Sequence, residues 1–350
     1  MKVVFCVIDS LPPRWVTPTV TPALWELAQG GGWHRAGGSA VLSSATYPNH
    51  ASFATGTEPV DHRVITNRVW TGSEFTKAHK VGPRGETLFD ACRAAGTSNG
   101  AVVGDHKLIG VMAADRADHH WPPGGHLPDG VRRDEFRYAA DETVLAAIDQ
   151  TAVLDADVAV LHLNEPDTAC HLYGPDSTEA TTRFSATDEK LGAIIDHLAW
   201  DDTVMIVVSD HDQEPVDDTD PIDLAAHLAD AGAPGVVEPD GTAAAVVAGP
   251  PLSALLTLDT VVDGTMIDDD VALVWGEPGR VFGSEGYGLR GQHGSPRTAR
   301  QVAVIGGGHP AVADLAVAIG ESRPHATDWA PTIAHLMGAE LPAASGRVLV

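Results

Sequence analysis

The chain has 350 residues, with 48 acidic side chains against 22 basic ones, a formal charge of −26 and 43% hydrophobic residues. That is enough apolar chain for one large domain or two smaller ones, and the 36 Gly and 24 Pro are scattered along it, which excludes a disordered or fibrous chain. A surface this acidic repels phosphate backbones and anionic lipid, so nucleic-acid polymers and membranes are not expected as partners.

The chain opens on a short apolar run, residues 3–8, that reads as a β-strand. It is too short for the core of a signal peptide, and no later segment reaches the apolar length of a membrane span, so a cytoplasmic location is expected. Further strands are predicted at 101–103, 158–163, 204–208, 243–247 and 302–305, where β-branched residues cluster. Helices are predicted between them. Residues 22–28 carry Thr21 as N-cap and Pro22 at the first position. Residues 134–150 put Phe136, Ala140, Val144, Ala147 and Ile148 on one face. Residues 177–198 do the same with Phe184, Leu191, Ile194, Ile195 and Leu198, and a last helix covers 328–337. Strands alternating with helices predict an α/β fold: a central, mainly parallel sheet sandwiched by helices, in one domain spanning 1–350. The Gly- and Pro-rich acidic stretch 212–285 is expected to be a smaller inserted cap. The cysteines Cys6, Cys92 and Cys170 are odd in number and widely spaced, which gives no disulfide framework.

The acids and histidines fall in a telling place. Asp9 ends the first strand, Asp167 and His171 follow the strand ending at Leu163, and Asp210 and His211 end the strand at 204–208. Ligands collect at the carboxyl ends of parallel strands, so these five residues converge on one edge. Their mixed oxygen and nitrogen donors suit Zn²⁺ or Mn²⁺. Taken singly, each could be a cap or a turn residue. Thr46-Tyr47-Pro48-Asn49-His50 followed by Gly56 reads as a short helix with Thr46 just before its N-terminus, where an anion is favoured. A threonine hydroxyl there becomes a nucleophile only when a metal or base lowers its pKa.

These pieces, with Glu165-Pro166-Asp167, His171-Leu172-Tyr173-Gly174-Pro175, Ser209-Asp210-His211 and Gly291-Gln292-His293-Gly294, occur in an order that resembles the alkaline phosphatase superfamily. The resemblance is to its type I phosphodiesterase/nucleotide pyrophosphatase branch, which includes phosphonoacetate hydrolase. It implies two divalent metal ions, Zn²⁺ with Mn²⁺ as alternative, one held by Asp167, His171 and His293, the other by Asp9, Asp210, His211 and the Thr46 oxygen. It implies Thr46 as nucleophile, forming a phospho-threonine intermediate, and Asn67 as a contact to a phosphoryl oxygen. A threonine nucleophile points to the diesterase and phosphonate-hydrolase side of the superfamily.

The resemblance to phosphonoacetate hydrolases is incomplete. Their Lys-x-Lys-Leu pattern, which holds the substrate carboxylate, becomes Asp105-His106-Lys107-Leu108 here, so only Lys107 remains as a substrate-binding candidate and Asp105 would repel a carboxylate. The family's SDHGM becomes Ser209-Asp210-His211-Asp212-Gln213, which puts Asp212 beside the site. The expected function is a bimetallic hydrolase of phosphate esters, acting on phosphodiesters or nucleotide-type pyrophosphates. The alternatives are a phosphonoacetate-type C–P bond hydrolase and, in another class, a catalytically silent metal-binding protein. Small-molecule phosphate esters or phosphonates are the expected partners, with a homodimer as the possible assembly. His119-His120, Cys170 and His50 are expected to be surface, buried filler and packing respectively.

Overall fold

Seven strands form the central sheet of the computed structural model, which describes residues 1–349. Their order is Gly32–Trp33, Ala303–Gly306, Thr203–Val208, Lys2–Ile8, Val158–Leu163, Asn99–Val103 and His119–Trp121. The five from Thr203–Val208 to His119–Trp121 run parallel, while Ala303–Gly306 pairs antiparallel with Thr203–Val208. Each central strand is buried on both faces, which explains why it reads as a continuous apolar run rather than an alternating one.

Alternation still assigns the two faces. Val3, Phe5, Val7, Val158, Val160, Val204 and Ile206 pack against the helices Thr46–Thr55, Leu88–Ala94 and Trp329–Leu336. Val4, Cys6, Ile8, Ala159, Leu161 and Leu163 pack against the helices Pro22–Gly30, Asp141–Thr151 and Thr178–Asp196. Burying each such aliphatic side chain contributes about 1.5–3 kcal/mol, so the sheet is a rigid platform for whatever stands on its edge.

Two elements differ from the sequence expectation, each for a physical reason. The strand Ala243–Val247 does not join the central sheet. It lies in a separate antiparallel sheet ordered Val236–Asp240, Ala243–Val247, Val271–Trp275, Asp263–Asp268. One face of that sheet packs on Ile222, Leu228 and Phe282, the other on Ile65 and Trp70. Covered on both faces, its apolar run is indistinguishable from a central parallel strand.

The helix expected over 134–150 begins only at Asp141. The Asp134 carboxylate accepts the Tyr138 backbone N–H at 2.8 Å and hydrogen bonds from Asn164 Nδ2 at 2.8 Å and Thr168 Oγ1 at 2.6 Å. A short acidic side chain thus takes the N–H that a helix would use, and the chain turns instead. The turn takes Phe136 and Tyr138 off the helix and into the lining of a cavity at the sheet edge.

Candidate metal centre and nucleophile

The carboxyl ends of four parallel strands supply the site. Asp9 follows Lys2–Ile8, Asp105 follows Asn99–Val103, Asn164 follows Val158–Leu163, and Asp210 and His211 follow Thr203–Val208. Asp167 and His171 lie one turn apart on the helix Glu165–Tyr173, so both point the same way. His293 arrives on a loop that the small sheet holds: Thr242 donates its backbone N–H to the His293 carbonyl at 2.7 Å and its hydroxyl to the same oxygen at 3.1 Å. Gly294 follows in a backbone conformation with φ of 119°, and a Cβ there would run into the Asp240 carbonyl, so this position suits only glycine.

The six donors form two trios. Ligand atoms of Asp167, His171 and His293 lie within 4.8 Å of one another, as do those of Asp9, Asp210 and His211, and all six residues are buried. The trios adjoin: the His211 and His293 rings stack with centroids 4.0 Å apart, and the His171 and His293 centroids are 5.1 Å apart. Three atoms of these residues, Asp9 Oδ1, Asp210 Oδ2 and His293 Nδ1, are buried without a hydrogen-bond partner. Native interiors rarely leave such atoms unpaired, and three together at converging donors fit a pair of divalent cations.

The electrostatics fit the same occupant. Burial, then Asp210 and Asp167, push the Asp9 carboxyl well above the usual carboxylate range. Burial would also raise Asp167, but His171 first, then His293 and His211, outweigh it and hold its carboxyl well below that range. Burial, then His211 and His171, drive His293 well below an ordinary imidazole, which leaves it neutral and able to ligate. Nδ1 of His171 donates to the Gly291 carbonyl at 2.9 Å, so its Nε2 faces Asp167 at 3.3 Å.

Thr46 stands where the trios meet. It is the first residue of the helix Thr46–Thr55, with Ala45 as N-cap, one position further into the helix than the sequence suggests. Its hydroxyl lies 3.2 Å from His211 Nε2. His50, one turn on, binds the Thr46 carbonyl through Nδ1 at 2.8 Å, and burial lowers its pKa so the ring is neutral. Asn67 lines the same cavity as Thr46, Asp9, Asp167, His171 and His293. Lys107 is not among the residues lining it. Its ammonium lies 3.4 Å from Tyr138 Oη and 5.0 Å from that ring's centroid.

Several participants escaped the sequence reading. His162 donates from Nε2 to Asp9 Oδ2 at 2.9 Å, and burial keeps the ring neutral. Parity could have revealed it: Val158 and Val160 face the Thr46 helix, so His162, two residues on, must do so too. Ser10 and Gln213 link the two trios. The Ser10 hydroxyl donates to Asp167 Oδ1 at 2.7 Å and lies 3.1 Å from His211 Nδ1, while Gln213 Nε2 donates to Asp167 Oδ1 at 2.7 Å and to Ser10 Oγ at 3.2 Å. No local pattern marks them, because their role exists only once the strands are adjacent. Asp212 is turned away from the donors by Arg14, whose guanidinium holds both its oxygens at 2.9 and 3.0 Å.

Groups that orient metal ligands typically cost about tenfold in affinity when removed. Gln213→Leu should therefore weaken metal binding by about that factor at the Asp167 trio, measured by titration against a chelating dye. Equal affinities in variant and parent would reduce the amide to packing.

Comparison with known proteins places this geometry among others. A family model described as type I phosphodiesterase/nucleotide pyrophosphatase matches residues 3–278. Human ectonucleotide pyrophosphatase/phosphodiesterase family member 1 is 25% identical over 195 residues, a match covering 50% of this chain and 19% of that protein. This chain thus spans only about a fifth of the curated relatives it matches. The solved structure of human ectonucleotide pyrophosphatase/phosphodiesterase 5 superposes with a TM-score of 0.76 at 18% identity, covering 99% of this chain and 97% of that one. Phosphonoacetate hydrolase from Sinorhizobium meliloti, in complex with phosphonoformate, gives 0.69 at 16% identity over 96% of both chains. At these identities the superpositions show a shared fold.

Proposed function

The chain belongs to the type I phosphodiesterase/nucleotide pyrophosphatase family, and from that premise we propose that it is a two-metal hydrolase of phosphodiesters or nucleotide-type pyrophosphates, with Thr46 as nucleophile. The observation that carries the reading is the Thr46 hydroxyl, 3.2 Å from His211 Nε2 and in one cavity with residues of both donor trios. Two divalent cations of the Zn²⁺ type, held by Asp167, His171 and His293 and by Asp9, Asp210 and His211, would supply Lewis acidity at the phosphoryl oxygens and lower the pKa of the Thr46 hydroxyl.

The chain's own residues do the rest. Thr46 loses its hydroxyl proton to solvent and Oγ1 forms a bond to phosphorus. The bond opposite breaks as the leaving group, an alkoxide or a phosphate oxygen, departs with the electron pair, the alkoxide taking a proton from water. Water then cleaves the phospho-threonine, restoring the hydroxyl and releasing the phosphoryl product. The helix start holds the threonine in place and presents backbone N–H groups that lack helical partners, an arrangement that favours negative charge. The Asn67 amide donates to a phosphoryl oxygen. Asp240, buried close to the Asn67 backbone, takes the Ser43 hydroxyl. Residues 212–285 act as a cap on this edge, since Thr242 holds the His293 carbonyl in position.

Asp105 in the cavity wall argues against a phosphonoacetate-type substrate, whose carboxylate it would repel. The test is a panel on the zinc-loaded protein. Aryl phosphodiesters and nucleotide pyrophosphates should turn over much faster than phosphomonoesters or phosphonoacetate. Two bound metals with no hydrolysis across the whole panel would instead identify a silent metal-binding relative.

A further inference from the structure

Arg14 belongs to neither donor trio, yet it ties together the segments that carry them. It lies just after Asp9, in the short helical turn Pro13–Trp15. Its Nη1 donates to both oxygens of Asp212, at 2.9 and 3.0 Å, while Nε and Nη2 donate to Asp176 Oδ1 at 3.0 and 2.8 Å. Asp212 directly follows the donors Asp210 and His211, and Asp176 follows the helix Glu165–Tyr173 that carries Asp167 and His171. One planar guanidinium thus joins the segments that supply every donor except His293.

Asp212 is the unexpected member of this link. It is a buried carboxylate where the family pattern has glycine, and burying a charge is costly unless it is paired. Its backbone is held as firmly as its side chain. The Asp212 N–H donates to the Thr298 carbonyl at 2.9 Å, and Asp212 Oδ1 accepts the Gln213 N–H at 2.7 Å. Those contacts, with the two from Arg14, fix the direction of the Asp212 carbonyl. That oxygen lies 3.1 Å from His211 Nδ1, and because a carbonyl can only accept, the contact requires the proton on Nδ1. Ser10 Oγ, also 3.1 Å from Nδ1, can share that proton, since its own goes to Asp167. Nε2 keeps its lone pair, 3.2 Å from the Thr46 hydroxyl and 3.3 Å from Asp210 Oδ2.

Resting on the two-metal reading, we propose that Arg14 is a positioning residue: through Asp212 it holds the carbonyl that fixes the His211 tautomer, and so keeps Nε2 presented to the cation of the Asp9, Asp210 and His211 trio. Arginine is required for this. Its fork reaches Asp212 and Asp176 together, whereas a lysine ammonium is a single point of charge.

Zinc affinity tests the assignment one trio at a time. In a His171→Ala background, which spoils the other trio, Arg14→Met should weaken zinc binding by about tenfold, and Arg14→Lys by nearly as much. In an Asp210→Ala background, which leaves the Asp167 trio, Arg14→Met should change affinity by less than about twofold. The double variant Arg14→Met/Asp212→Gly leaves no unpaired carboxylate and should bind as weakly as Arg14→Met. Recovery of parental affinity in the double variant would trace the loss to a stranded charge and overturn the positioning role, as would unchanged affinity in Arg14→Met. Nitrogen NMR of the histidine rings in metal-free protein, in alkaline buffer, gives a readout independent of turnover. The His211 proton should sit on Nδ1 in the parent and be shared between both nitrogens in Arg14→Met, and a ring unchanged by the substitution overturns the proposal. If the parent binds no zinc, the two-metal reading falls and the ring spectra decide the role of Arg14 by themselves. Should Arg14→Met fail to fold, Arg14→Lys, which keeps the charge and the stem, carries the same predictions.

Discussion

Thr46→Ala should reduce kcat on an aryl phosphodiester by at least about 10³-fold, because in the proposed mechanism Thr46 Oγ1 forms the bond to phosphorus. Metal content should stay at two per chain. The three protein donors of each trio come from strand ends, the helix Glu165–Tyr173 and the His293 loop, none of which depends on the Thr46 side chain. Thr46→Ser keeps a hydroxyl on the same carbon and should recover most of the rate. The fold should tolerate the alanine, since Thr46 opens its helix rather than filling the core. Rate and metal content together are decisive. Wild-type turnover in Thr46→Ala would remove the nucleophile assignment, whereas loss of metal with loss of rate would make Thr46 a ligand before anything else.

Removing the metals should abolish turnover and destabilise the protein, with a pH dependence whose sign follows from Asp9. In the metal-free fold its carboxyl sits well above the usual range, through burial first and then through Asp210 and Asp167. A group whose folded pKa is raised contributes stability that is complete below its unfolded pKa and is lost as pH rises through the folded value. Asp9 by itself therefore lowers the melting temperature of the stripped protein as pH increases across that window, while the buried neutral His50, His162 and His293 act in the opposite sense below their unfolded pKa.

Divalent cations take the carboxylate form and remove this penalty, so the gap in Tm between loaded and stripped protein should widen with rising pH. At 100 times the dissociation constant, one bound ion stabilises by about 2.7 kcal/mol. Asp141 and Asp240, both pushed up to about 7 by burial, lower stability with rising pH in the loaded and stripped forms alike, so the difference between the two isolates the site. The depressed Asp167 acts in the opposite sense and only below the ordinary carboxylate range, outside this window. A gap in Tm that does not change with pH would count against Asp9 as a ligand. Melting curves at several pH values, with and without chelator, supply the measurement.

The central strands were legible because burial on both faces writes itself as an unbroken β-branched run, and the helix 177–198 because its apolar spacing is long and regular; the structure gives Thr178–Asp196 with Ser177 capping it. The same logic misplaced Ala243–Val247, since a small sheet covered on both sides leaves the same signature. It also overran the helix before Asp141, since spacing does not register a side chain such as Asp134 that competes for backbone N–H groups.

At the site, the sequence supplied the residue types and their positions at strand ends, and hence the chemistry of a mixed carboxylate and imidazole centre beside a helix-borne threonine. Those properties are local: a strand end, a helix start and a donor atom can each be recognised within a few residues. Which donors stand together is not local. Strand order puts Thr203–Val208 on one side of Lys2–Ile8 and Val158–Leu163 on the other, and only that order brings Asp9, Asp210 and His211 into one trio. The same tertiary arrangement joined Ser10 to Gln213, aimed His162 at Asp9, moved Lys107 behind Tyr138 and set Asp105 in the cavity wall. Residues far apart in the chain acquire a common function only when the sheet fixes the distances between them to within a hydrogen bond.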